Sequence, residues 1–226
     1  MNQVRHFEIE IADLRRSLAG MGDLVLRTLR MAVEAILAPT IDARERARAY
    51  EDQLDKLDSD IEERCQQILA LQSPLARDLR LLVSSMRVTL DLENIGDLAE
   101  SLAKRATAIA RQERVINPIV LEPLGNLAVD MVRRAVEVFI AGDSDGASRL
   151  VADEAESDRM TKAGYAELTQ RMRDDTAHVD EYLHLHRALS HLEHICDLSL
   201  SIAQEAVYAH RGKLIRHKKE ELEREL

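Results

Sequence analysis

Four acidic pairs in this chain share one spacing: Glu51/Asp55, Glu93/Asp97, Glu154/Asp158 and Glu193/Asp197. Residues four apart on a helix are neighbours on one face, so each pair sets two carboxylates side by side. Two unit charges about 6 Å apart repel by about 0.7 kcal/mol in water and by about 3 kcal/mol at an effective dielectric of 20. A shared cation reverses the sign of those interactions. Donor sets made only of oxygen favour hard ions such as Mg, Ca, Mn or ferric iron. His194 adjoins Glu193 and offers a nitrogen ligand, although a lone helical histidine more often serves at a surface or a cap.

One such pair means little. With 41 acids in 226 residues, roughly seven acidic i,i+4 pairs arise by chance, and solvated faces that pair with Arg and Lys account for most of them. Position is what separates these four. Glu51 and Asp55 precede Pro74 by the same separations at which Asp97 and Glu93 follow it. An antiparallel hairpin turning at Pro74 therefore sets Glu51 level with Asp97, and Asp55 level with Glu93. A second hairpin turning at Asp175-Thr176 levels Glu154 with Asp197 and Asp158 with Glu193. At 1.5 Å per residue each quartet stands about 30 Å from its turn. Asp52, Asp58, Asp91 and Glu156 crowd the same segments, and spacing alone does not rank them as ligands.

The elements that must carry these acids are helices. Aromatic residues make up 3% of the chain and Trp is absent, whereas charged residues reach 32%. Such a composition favours helix over strand. Breaks fall at Pro39-Thr40, Ser73-Pro74, Asn117-Pro118, Gly142 to Gly146, and Arg173 to Asp180, where Pro, Gly and Asx residues stop helices. Gly212 stands where a C′ glycine would close a last helix. Six segments result, beginning near Val4, and a charged tail, Lys213 to Leu226, follows them. Leu75, Leu79, Leu82, Met86 and Leu90 form one stripe at helical spacing, and Leu57, Ile61 and Ile68 part of another. Short connections make sequential helices antiparallel.

The halves repeat. At an offset of 103, Gly22, Leu24, Leu29, Ala32 and Val33 correspond to Gly125, Leu127, Val132, Ala135 and Val136. Glu51 and Asp55 correspond to Glu154 and Asp158 at the same offset, and Arg87, Glu93, Ile95 and Asp97 to Arg187, Glu193, Ile195 and Asp197 at 100. Order and offset hold across three helices, which points to a duplication. The expected fold is all-α, with two tandem, pseudo-symmetric three-helix bundles over 1–116 and 117–212 and a tail over 213–226.

Several function classes fall away. A formal charge of -10 argues against nucleic-acid binding and against adsorption to an anionic membrane. No apolar run approaches the ~18 residues that span a bilayer, and Met1 to Glu10 shows no signal-peptide core. Cys65 and Cys196 stand alone, as free thiols near a helix core in a reducing cytosol. Ser84, Ser85 and the histidines lack a nucleophile context, and no Gly-rich phosphate loop is present.

The run Leu69 to Arg80 (LALQSPLARDLR), the segment Leu92 to Asp97 (LENIGD) and the segment Leu192 to Asp197 (LEHICD) resemble the PhoU family of phosphate-response regulators. So do the two-repeat plan and the ending Val207 to Gly212 (VYAHRG). The chain departs from the family pattern at Asn94 and His194, where Arg is usual, and at Cys196, where Gly is usual; the acids are intact. The resemblance implies multinuclear metal clusters, iron foremost, with Mg, Mn or Zn as other ions, held by the eight acids of the four pairs. It implies a cytoplasmic adaptor, peripheral to the inner membrane through its partners, that represses phosphate uptake and the phosphate-starvation response. The partners it implies are the ATPase subunit of the phosphate ABC transporter and the phosphate sensor histidine kinase; apolar stripes on long helices make a homodimer a further expectation.

That adaptor has no catalysis of its own. A carboxylate-bridged di-metal enzyme of ferritin type needs a Glu-x-x-His on each helix pair. One such motif exists, Glu181 to His184, with no counterpart near the first quartet. A metal-free helical scaffold is the remaining alternative, and it predicts indifference to chelators.

Overall fold

A computed structural model describes residues 2–111, 117–143 and 146–213, with side chains from residue 7 onward. Six α-helices account for nearly all of these residues: α1 Asn2–Leu37, α2 Ala43–Gln72, α3 Arg77–Ile109, α4 Leu121–Ala141, α5 Ala147–Asp174 and α6 Val179–Arg211. A single 3-10 turn, Thr176–His178, joins α5 to α6. The expected breaks are where the helices end. Gly142 and Gly212 both take φ 72° and donate their N–H groups to Val138 and Tyr208 carbonyls, the left-handed C-terminal cap that glycine makes without a steric penalty. The α2–α3 turn is made without glycine: Ser73 (φ 46°) and Ala76 (φ 49°) take positive φ there. Residues 112–116, Ser144, Asp145 and the tail beyond Lys213 lie outside the described residues.

α1, α2 and α3 pack together, as do α4, α5 and α6, and the two trios meet along α1–α4 and, more extensively, α3–α6. One continuous apolar core runs through both. The α1–α4 seam displays the duplication in its packing. A Cβ on Gly22 would lie 2.8 Å from Val136 Cγ1, and one on Gly125 would lie 2.7 Å from Val33 Cγ1. Gly22 and Gly125 are repeat mates, and so are Val33 and Val136, so each half presses its valine into the glycine notch of the other. Fully buried leucines such as Leu14, Leu29 and Leu124 line the core, each contributing about 1.5–3 kcal/mol relative to exposure.

The stripe from Leu75 to Leu90 is not a core stripe. Leu75, Leu79 and Leu90 are 79%, 42% and 56% exposed, and only Leu82 is fully buried. Leu75 precedes the helix, and the buried face of α3 runs instead through Leu81, Ser85, Val88, Leu92, Ile95 and Ala99. Apolar type misled because small and polar residues fill part of this core: Ser84, Ser85 and Thr89 are at most 1% exposed. The α2 stripe holds, with Ile61 and Ile68 in the core and Leu57 packed against it. Both cysteines are free and buried, and burial pushes each thiol up to about 12.

Candidate metal centre

The hairpin register puts the first quartet where its spacing predicts. Glu51 and Asp55 on α2 and Glu93 and Asp97 on α3 line one small cleft. Thr28 of α1 floors it, and its hydroxyl donates to Leu24 O at 3.0 Å. Gly96 allows the two acidic helices to close in, since a Cβ there would lie 2.6 Å from Leu54 Cδ1. The free space is about 10 Å³, enough for one water-sized body.

The electrostatics of this cleft are one-sided. Burial, then Asp97, Asp58 and Asp55, hold the Glu93 carboxyl above the ordinary Glu range. Burial, then Asp55 and Glu100, do the same for Asp97. Burial, then Glu62 and Asp55, raise Asp58. Each of these groups prefers its proton first because it is partly buried and then because its neighbours are carboxylates. Arg44 stands at the cleft's edge, its Nε 3.2 Å from Glu100 Oε1. Asp58 and Glu100 therefore belong to the cluster. Asp58 was visible in the sequence but unranked. Glu100 was missed, although it follows Asp97 by three residues and Glu93 by seven, the spacing of one helix face.

The second quartet is assembled differently. Glu154 on α5 is only 2% exposed. Burial, Asp158 and Glu154 raise Glu193, while Lys162 and a hydrogen bond with Tyr165 act in the opposite direction. Lys162 Nζ lies 3.7 Å from Asp158 Oδ2. Tyr165 also bonds Ser190 and stacks on His186 with ring centroids 4.1 Å apart. Asp197 is exposed and acts on the neighbouring Cys196, which hydrogen-bonds Ser157 in the place where the first half has Gly96 against Leu54. His194 is exposed as well.

Among the described residues, no three His, Cys, Asp or Glu side chains stand in position to hold an ion together. The donor chemistry of the first cleft suits hard cations, and its acids share one opening. His184 of the lone Glu-x-x-His faces Arg105 and Arg187 as well as Asp180 and Glu181, so it adds nothing to either quartet and gives a ferritin-type centre no support.

The model of the PhoU domain matches the chain twice, over residues 18–106 and 121–206. The chain belongs to the PhoU family. A phosphate-specific transport system accessory protein PhoU homolog from Pseudomonas aeruginosa is 32% identical over 214 residues, covering 94% of this chain and 88% of that protein. A homolog of the same description from Aquifex aeolicus is 27% identical, covering 92% and 94%. The crystal structure of PhoU from Pseudomonas aeruginosa superposes with a TM-score of 0.86 at 32% identity, over 92% of this chain and all of that one. The structure of the phosphate transport system regulatory protein PhoU from Streptococcus pneumoniae gives 0.86 at 26% identity, over 92% and 98%. The PhoU fold accounts for the six helices and their pseudo-symmetric trios. No helix among the described residues is long and apolar enough to cross a membrane.

Proposed function

We propose that this chain is a non-catalytic adaptor that restrains phosphate uptake and phosphate-starvation signalling, and that its carboxylate clusters hold hard metal ions, iron foremost. The regulatory part draws support from membership of the PhoU family and from relatives described as accessory proteins of phosphate-specific transport. The metal part draws support from one observation: Glu51, Asp55, Glu93 and Asp97 line a single cleft in which burial and neighbouring carboxylates push Glu93 and Asp97 upward. Once those acids share a cation, they tie α2 to α3 and replace repulsion by attraction. A cation bound only by the folded chain stabilises it by mass action. The same quartet in the second half, Glu154, Asp158, Glu193 and Asp197, holds ions more weakly because Lys162 already offsets part of its charge.

The proposed partners are the ATPase subunit of the phosphate ABC transporter and the sensor histidine kinase, met from the cytoplasmic side. A second copy of the chain is a further partner, and light scattering tests it. Binding of the immobilised chain to the purified ATPase subunit, with and without chelator, tests the adaptor reading. Submicromolar binding that weakens at least about tenfold on chelation is the expected result. No binding in either state counts against the adaptor, and binding indifferent to chelator favours the metal-free scaffold.

A further inference from the structure

The α3–α6 seam carries two pseudo-symmetric polar sites, and they differ in sign. The first is complete. Glu205 of α6, 2% exposed, accepts hydrogen bonds from Ser84 Oγ at 2.9 Å and Arg87 Nη1 at 3.3 Å, both from α3. One turn on, Ser201 Oγ donates to Asp91 Oδ2 at 2.8 Å. These contacts set α3 and α6 antiparallel, with residue 87 level with 205 and residue 91 with 201.

The repeat offset of 100 carries this site onto its mate. Ser84, Arg87 and Asp91 become His184, Arg187 and His191 on α6, and Glu205 becomes Arg105 on α3. The carboxylate that completes the first site is thus an arginine in the second. The α3–α6 register sets Arg105 level with Arg187; burial and then Arg187 hold Arg105 below its ordinary value, and His184 and His191, both lowered first by burial, also feel the two arginines. Among the described residues neither Arg105 nor Arg187 makes an ion pair with a carboxylate. Arg105 Nε and His191 Nε2 are enclosed with no hydrogen-bond partner. The acids facing the cluster are Asp180 and Glu181, beside His184 in the first turn of α6. Arg187 is exposed and Arg105 partly so, which leaves the site open to solutes.

We infer that the Arg105–Arg187 pair, with His184 and His191 beside it, is a binding site for a small divalent oxyanion of the phosphate or sulfate type. The pair has an unmet donor in Arg105 Nε. Two guanidinium groups carry two positive charges and only donors. Planar forks of this kind bind tetrahedral and carboxylate oxyanions in bidentate fashion. The first site shows what the seam needs at this level, since there an internal carboxylate accepts from both α3 donors. In the second site that acceptor has to come from outside. Two arginines paired without acids also stand out in a chain of net charge -10, whose general field repels anions. The site is separate from the carboxylate clusters and does not rest on the metal reading: Glu193 follows His191 by two residues and points to a different helix face.

Isothermal titration of the full chain with inorganic phosphate, in chelator and at ionic strength held constant with chloride, tests the site. About one phosphate per chain is expected, competed by sulfate. Arg187→Gln and Arg105→Gln should each weaken it by at least about tenfold. Arg105→Glu installs the acid that position 205 carries, so it should abolish binding and melt at or above the parent in phosphate-free buffer. No phosphate-specific heat in the parent overturns the inference. So does equal binding by the parent and the Arg187→Gln and Arg105→Gln proteins. Loss of partner binding in those variants without any phosphate binding by the parent overturns it as well, in favour of an acidic protein surface docking there.

Discussion

The two carboxylate clusters hold equivalent places in the two halves, yet their surroundings have diverged. Around the first, Asp58, Ser59 and Glu62 follow Asp55 on α2, and Glu100 follows Asp97 on α3. Their mates around the second are Thr161, Lys162, Tyr165 and Leu200. Where the first cluster has Asp58, Glu62 and Glu100, the second has a hydroxyl, a phenol and an apolar side chain, and a cation, Lys162, stands in the place of Ser59. The pKa pattern follows: burial and then neighbouring acids push up Glu93, Asp97 and Asp58, whereas Glu193, raised by burial and Asp158, has Lys162 and Tyr165 pulling the other way. A duplicated scaffold can keep its helices and its register while the charge lining one site drifts. The α3–α6 seam repeats the lesson, with Glu205 in one site and Arg105 in the other.

If the first cluster is the stronger cation site, chelation should lower the melting temperature of the parent by roughly 5–15 °C, from about 3–4 kcal/mol of linked binding. The variant E51Q/D55N/E93Q/D97N should lose most of that shift and E154Q/D158N/E193Q/D197N should keep most of it, as differential scanning calorimetry will read. Equal losses would erase the distinction between the clusters. Next in size, Lys162→Ser gives the second cluster the residue its mate carries. It should tighten manganese binding there by about three- to tenfold in a titration of the E51Q/D55N/E93Q/D97N background; the modest size reflects the exposure of Lys162.

Smaller effects concern the metal-free chain. In chelator at pH 7, Glu93→Gln should raise stability by a few tenths to about 1 kcal/mol, read as about 1–3 °C. Glu193→Gln should do less, because Lys162 and Tyr165 offset its repulsion and one of its bonds is lost. The smallest effect is the pH dependence of that gain. Glu93 holds its proton more tightly in the fold than at its ordinary value of 4.5. Its contribution to stability is therefore present in full below that value and is lost as pH rises through the raised one. The advantage of Glu93→Gln should be near zero at pH 4 and grow towards pH 7 in calorimetric scans; a constant advantage would show that charge is not its cause.

The helices, their ends and the meeting of the first quartet in one cleft were legible in the sequence because each rests on local signals: Pro and Gly breaks and equal distances from a turn. Gly142 and Gly212 cap helices as their positions suggest. The Leu75–Leu90 stripe failed because the core face of α3 is built partly from Ser84, Ser85 and Thr89, which no hydrophobic count selects. Glu100 was overlooked because it lies outside the repeated motif; its role depends on which face of α3 meets α2. The Arg105–Arg187 pair was invisible for a similar reason. Its residues come from helices in different halves, and only the α3–α6 register brings them level.

The central claim is that the first carboxylate cleft holds a hard metal ion. Elemental analysis of protein purified without added metal or a chelating tag, beside the E51Q/D55N/E93Q/D97N and E154Q/D158N/E193Q/D197N variants, tests it most directly. Metal in the parent, mostly lost from the first variant and less so from the second, is the predicted result. No metal in the parent after iron, manganese and magnesium are offered, or metal fully retained by the first variant, would contradict it.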